Sequence, residues 1–185
     1  MRFSSEDLDR AAGIVARWVP PTPQYVWPLL AEYAGAEVWV KHENHTPTGA
    51  FKVRGGLVYA ERLRAGRPEV KGIVSATRGN HGQSLAFAGR AAGVSVTIVV
   101  PEGNSPDKNA AMQGFGAELI VHGRDYQSSR EHASELGARP DADDLKSRQT
   151  PKGTAMTTVP SVALPVSAAP EGPQPIRVPD PGHKR

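Results

Sequence analysis

Val70-Lys-Gly-Ile-Val-Ser-Ala-Thr-Arg-Gly-Asn-His-Gly-Gln-Ser-Leu-Ala-Phe-Ala-Gly-Arg-Ala-Ala-Gly-Val-Ser-Val-Thr-Ile-Val-Val100 changes its apolar spacing twice, and that change decides the fold. Val70 to Ala76 has the length and branched composition of a buried strand. Asn80 to Ala92 carries apolar positions at helical spacing, and Gly93 can close that helix. Val94 to Val100 is again an apolar strand, ended by Pro101. The pattern then repeats. Ser105 caps a helix from Pro106 to Phe115, with proline at the first helical position, where its missing N–H costs nothing. Ala117 to Val121 reads as a third strand and Tyr126 to Leu136 as a third helix. Strand, helix, strand, helix, strand at this spacing calls for parallel strands joined by right-handed crossovers. The expected class is α/β, with a parallel β-α-β-α-β sheet.

Upstream, Ser4 and Asp7 form a capping-box pair, and Leu8, Ala11, Val15 and Trp18 share one helical face. Pro20, Pro21 and Pro23 end that helix, because proline removes a donor and clashes with the preceding turn. Glu37-Val-Trp-Val-Lys41 alternates like a short strand. Downstream of Gly137 the character changes. Residues 138–185 hold 9 of the 17 prolines and no aromatic residue. Proline this dense denies both helix and ladder, and too little apolar surface remains to offset ordering entropy, so a disordered tail is expected.

Composition narrows the function classes. The 185 residues suit one domain with a tail. A net charge of +3 without a concentrated basic stripe argues against nucleic acid. Absence of cysteine rules out disulfides and thiolate metal sites. No apolar run reaches membrane-spanning length, and Met1-Arg-Phe-Ser-Ser-Glu-Asp7 lacks a signal peptide's apolar core, so a cytoplasmic protein is expected.

Two stretches carry chemistry. The first is Lys41-His-Glu-Asn-His-Thr-Pro-Thr-Gly-Ala-Phe-Lys52-Val-Arg-Gly-Gly56. Isolated lysines are mostly solvated surface charges. Here Thr46, Thr48 and Gly49 make a small polar turn, Phe51 is a flat apolar neighbour, and Val53 to Arg64 has helical composition. Lys52 is thereby expected near a helix N-terminus, where the dipole and a partly dry wall lower an amine's pKa as Schiff-base chemistry requires. The second stretch is Ser75-Ala-Thr-Arg-Gly-Asn-His-Gly-Gln-Ser84, at a strand-to-helix junction of the kind that binds ligands in open parallel sheets. Free N–H groups there favour a carboxylate or phosphate. The alternative is a structural turn in which Asn80 only caps the helix. His42, Glu43 and His45 have no metal-site spacing and are read as shaping the turn ahead of Lys52. Asp141, Asp143 and Asp144 read as a solvated charge run.

Together, and in this order, the two motifs resemble the pyridoxal-phosphate-dependent threonine/serine dehydratases and their relative serine racemase, of the tryptophan synthase β-like fold (fold type II). The resemblance runs from about Trp18 to Leu136. It implies that residues 1–137 are the N-terminal part of such an enzyme domain, with pyridoxal 5'-phosphate as cofactor. Lys52 would be the catalytic residue that carries the cofactor, Phe51 would line its ring pocket, and Asn80 would bond its phenolic oxygen. Thr77, Gly79, Asn80 and His81 would hold the substrate carboxylate. The implied activity is β-elimination of a 3-hydroxy amino acid to a 2-oxo acid and ammonia, with Lys52 removing the Cα proton. The implied partners are a small amino acid and, as is usual in the family, a second copy of the chain. Serine racemase has a serine where this chain has Arg78. Arginine is too weak an acid to serve the opposite face of the ring, so dehydration is expected over racemisation. Arg78 either contacts an anionic substrate group or pairs with a nearby acid. The family's glycine-rich phosphate loop comes later in the chain. Residues 138–185 lack it, since Gly153 and Gly172 stand isolated among prolines. The chain is therefore expected to be truncated, and a catalytically inactive fragment is the alternative expectation.

Overall fold

The structure, a computed structural model, describes residues 3–138. All of the expected tail beyond Ala138, including Asp141, Asp143 and Asp144, lies outside these residues.

Helix α1 (Ser5–Ala16) opens on the capping box read from the sequence. Asp7 N–H donates to Ser4 Oγ and Ser4 N–H donates to the Asp7 carboxylate, both at 3.1 Å. Its apolar face differs from the expected one. The helix stops at Ala16, so the chain beyond leaves helical spacing, and Val19 rather than Trp18 takes the buried place beside Val15. Leu8 is also exposed. Two elements were not expected from sequence, β1 (Gln24–Val26) and α2 (Pro28–Ala34). Strand β1 pairs antiparallel with β2 (Trp39–Lys41), which is shorter than the expected Glu37–Lys41. Helix α2 starts with Pro28 and ends at Gly35, whose φ of +62° suits glycine. A 3-10 turn, Glu43–His45, leads toward α3 (Lys52–Gly66).

The parallel sheet follows the expected plan. Strands β3 (Gly72–Ala76), β4 (Ser95–Val100) and β5 (Glu118–Val121) lie side by side in chain order. Gly72 pairs with Ser95, and Thr97 with Glu118. Helices α4 (Asn80–Ala92), α5 (Pro106–Gly114) and α6 (Tyr126–Gly137) follow the three strands. Period-two alternation along β4 splits the core between its two faces. Val96, Ile98 and Val100 pack with Leu85 and Ala86 of α4 and Met112 of α5. Val99 packs with Ala133 and Leu136 of α6. A further cluster joins α1, α3 and α4 through Val15, Val19, Val53, Leu57, Ala60 and Ala88. Thus α3 sits directly on α4, and the first turns of both helices come together.

Candidate active site at the first turns of α3 and α4

Lys52 is the first residue of α3. The turn before it is held by hydroxyls standing in for backbone partners. Thr46 Oγ1 donates to the Ala50 carbonyl at 2.9 Å and accepts from Ala50 N–H at 3.0 Å, and both Thr46 and Thr48 are buried. Gly49 takes φ +64°, a left-handed conformation that a side chain would strain. On the far side, Ser84 Oγ of α4 donates to the Lys52 carbonyl at 2.7 Å. Gly56, one turn into α3, makes that approach possible: a Cβ there would fall on Ser84 Oγ and 3.0 Å from the Ser84 carbonyl oxygen. The backbone of Lys52 is thus fixed on two sides, while its amine makes no hydrogen bond or ion pair among the described residues.

The second motif lies where β3 runs into α4. Thr77 is buried, and its Oγ1 accepts from Gly79 N–H at 3.3 Å. Gly79, not Asn80, is the cap of α4, and no side chain caps the helix. The reading of Asn80 as a mere cap therefore does not hold. Its carboxamide makes no hydrogen bond among the described residues, and the first N–H groups of α4 stay available to an anion. Lys108 of α5 reaches across this junction. Its Cδ lies 3.0 Å and its Nζ 3.4 Å from where a Cβ on Gly79 would stand, so glycine there makes room for the lysine stem. The imidazole of His81 is held below its ordinary pKa, first by partial desolvation and then by the positive charge of Lys52.

Phe51, Lys52 and His81 border one cavity of about 750 Å³, together with Ser75 of β3, Ser84 of α4 and Tyr59 of α3. Thr77, Gly79 and Asn80, at the β3–α4 junction just before His81 in the chain, are not part of its lining. Phe51, which borders the cavity beside Lys52, is 62% exposed. A larger groove of about 830 Å³ between α1 and α3 is mostly apolar and contains neither Lys52 nor His81, which makes the smaller cavity the chemical one. His42 and His45 meet edge to face, and His42 Nε2 accepts from Trp27 Nε1 at 3.3 Å. No group of three metal-ligating side chains forms among the described residues.

Three contributors were not legible beforehand: Ser84 as anchor of the Lys52 carbonyl, Lys108 over Gly79, and an ion pair between Glu43 and Arg54. Each joins residues too far apart for spacing to reveal. The donor set fits the reacting end of pyridoxal phosphate. It offers an uncommitted primary amine, a free carboxamide at Asn80, a neutral-leaning imidazole, and helix N–H groups for a carboxylate.

Comparison with known proteins identifies the family. Residues 15–158 match the family model described as pyridoxal-phosphate dependent enzyme. A biosynthetic L-threonine dehydratase of Haemophilus influenzae is 31% identical over 115 residues, covering 62% of this chain and 22% of the relative. Serine racemase of Bos taurus is 33% identical over 132 residues, covering 70% of this chain and 39% of the relative. Among solved structures, a pyridoxal 5'-phosphate-dependent aspartate racemase superposes with a TM-score of 0.68 at 30% identity, covering 74% of this chain and 43% of that one. The chain spans less than half the length of these relatives. With its fold-type II core, this chain belongs to the pyridoxal-phosphate dependent enzymes, in the family of the threonine/serine dehydratases.

Proposed function

We propose that the chain binds pyridoxal phosphate through Lys52 and serves the β-elimination of water from a 3-hydroxy amino acid such as threonine or serine, the Cα proton and the Cβ hydroxyl leaving and later hydrolysis giving a 2-oxo acid and ammonia. One observation carries this reading. Lys52 and His81 line one cavity, beside a helix start with no capping side chain. When bound, the cofactor supplies the electron sink that makes the substrate's Cα–H acidic. Lys52 takes that proton at Nζ. Thr77, Asn80 and His81, with N–H donors from Gly79 onward, hold the substrate carboxylate, which the α4 dipole favours. The Asn80 carboxamide would donate to the cofactor's phenolic oxygen, and Phe51 would line the ring pocket. His81, biased toward its neutral form, can donate a hydrogen bond without adding a second positive charge next to Lys52.

The name of one relative, threonine dehydratase, supports elimination; the racemases make racemisation the competitor. Arg78 favours elimination, because guanidinium cannot give and take a proton on the ring's other face. A homodimer acting in the cytoplasm belongs to the same proposal, and no described helix is long and apolar enough to cross a membrane.

The test adds pyridoxal phosphate to the purified chain. A visible band that disappears in Lys52→Ala, a borohydride-fixed mass increment on Lys52, and 2-oxo acid release from threonine or serine are the expected results. A folded chain with no band would instead support the non-catalytic fragment. Release of the D-amino acid without 2-oxo acid would replace elimination by racemisation.

A further inference from the structure

Arg54 lies two residues past Lys52, and positions two apart leave a helix in different directions. Its guanidinium meets Glu43 in a two-pronged contact, Nε to Oε2 at 2.7 Å and Nη2 to Oε1 at 2.9 Å. Thr22 Oγ1 donates to the same Oε1 at 2.6 Å, and Lys41 Nζ donates to the Thr22 carbonyl at 3.2 Å. The arrangement differs from the other Arg–carboxylate pairs among the described residues. Arg54 and Glu43 are 29% and 20% exposed, whereas Arg17 and Glu61 are 54% and 46% exposed. Hydrogen bonds from Arg54 above all, against some desolvation and with help from Thr22, bring the Glu43 carboxyl down to about 2. The ion pair closes a loop from residue 43 to residue 54, and Lys52 sits inside that loop. Ser84 holds the Lys52 carbonyl from α4, and the ion pair holds the same first turn through Arg54.

We infer that Glu43 and Arg54, backed by Thr22, are positioning residues that set the direction of the Lys52 amine; Arg54 also borders the cavity, whereas Glu43 and Thr22 lie outside its lining and act through position alone. This rests on the reading of Lys52 as the cofactor-bearing amine. A planar fork bound at two points fixes orientation as well as distance, which a single charged contact does not. Small errors in the placement of a reacting group cost large factors in rate.

The 185-residue chain tests it with a graded series: Thr22→Val, Arg54→Lys, Glu43→Gln and Arg54→Met. Two readouts go beyond stability. Lysine acetylation by a dilute reagent, followed by mass spectrometry across pH, reports the reactivity of Lys52 in the cofactor-free protein, with Lys71 and Lys108 as internal references. The rate at which the visible band grows after addition of pyridoxal phosphate reports capture. Arg54→Met and Glu43→Gln should slow capture by about tenfold and shift the pH profile of Lys52 labelling, with Lys71 and Lys108 unchanged. Thr22→Val and Arg54→Lys should fall between these and the native chain. The double variant Glu43→Gln/Arg54→Met should be no slower than the worse single one, because the two act as one unit. Folded variants with native Lys52 labelling and native capture would overturn the inference. The mildest substitutions, Thr22→Val and Arg54→Lys, keep that outcome within reach if the severe ones fail to fold. A native chain that forms no band would refute the cofactor reading, while the labelling contrast at Lys52 would still decide the positioning pair.

Discussion

Residues 72–121 and residues 20–54 both contribute to the surroundings of Lys52, but different forces hold them. In the first region β4 is buried almost throughout, and Ile98, Val99 and Val100 are fully enclosed between α4, α5 and α6. In the second, the large apolar side chains face outward: Tyr25, Trp27, Leu29, Tyr33 and Trp39 are all exposed. What fixes its path is oxygen and nitrogen: Thr22 and Arg54 on Glu43, Lys41 on the Thr22 carbonyl, and Thr46 on both the N–H and the carbonyl of Ala50. Burial of apolar area is non-directional, whereas hydrogen bonds fix angles. One region supplies stability, and the other supplies aim.

That contrast can be broken at four points. Ile98→Ala, in the enclosed region, should cost about 2–5 kcal/mol by urea denaturation, the range for truncating a large aliphatic in a close-packed core. A cost under about 1 kcal/mol would mean that the sheet is not where stability resides. Glu43→Gln should cost about 1.5–3 kcal/mol at neutral pH, as expected for hydrogen bonds to a charged group. It should also change the acid response. Glu43 is held at about 2 against an ordinary 4.5, so it adds stability above the ordinary value and loses it as pH falls toward 2. Thermal unfolding between those limits should show a drop in the native chain that is flatter in Glu43→Gln. Ser84→Ala should cost about 0.5–1.5 kcal/mol by urea denaturation, with faster amide exchange around residue 52, since one neutral hydrogen bond is lost. Glu61→Gln should change stability least, by about 0.2–1 kcal/mol, and less in high salt, because its 2.9 Å pair with Arg17 is half exposed.

The same contrast explains what could be read in the chain. The α/β core was legible because enclosed branched residues leave a period, two in β4 and near 3.6 in α4. Pro106 marked a helix start by its fixed φ, and Gly93 a helix end by its tolerance of a left-handed turn. Strand β1 and helix α2 were not legible, because Leu29, Leu30 and Tyr33 face outward and leave no period against a core. The position of Lys52 at a helix start followed from the composition after it, and the strand-to-helix junction followed from Thr77 to Gly82. The residues that aim Lys52 did not. Glu43 and Arg54 lie 11 positions apart and Lys52 and Ser84 lie 32 apart, and only the packing of α3 on α4 brings the latter two together. A glycine can signal such packing in advance, as Gly56 does, but it does not name its partner.

The sheet's order has a consequence for how the protein is made. Its strands lie in chain order, with each ladder joining residues only 23 or 21 positions apart, from Gly72 to Ser95 and from Thr97 to Glu118. Near-neighbour pairing keeps loop-closure entropy low and lets assembly proceed by accretion. As synthesis runs from the N-terminus, β3 can recruit β4, and β4 can then recruit β5, without waiting for distant sequence. The junction that begins α4 is therefore shaped at the first of these additions, and Lys52, already synthesised, can dock on Ser84 before the third strand has left the ribosome.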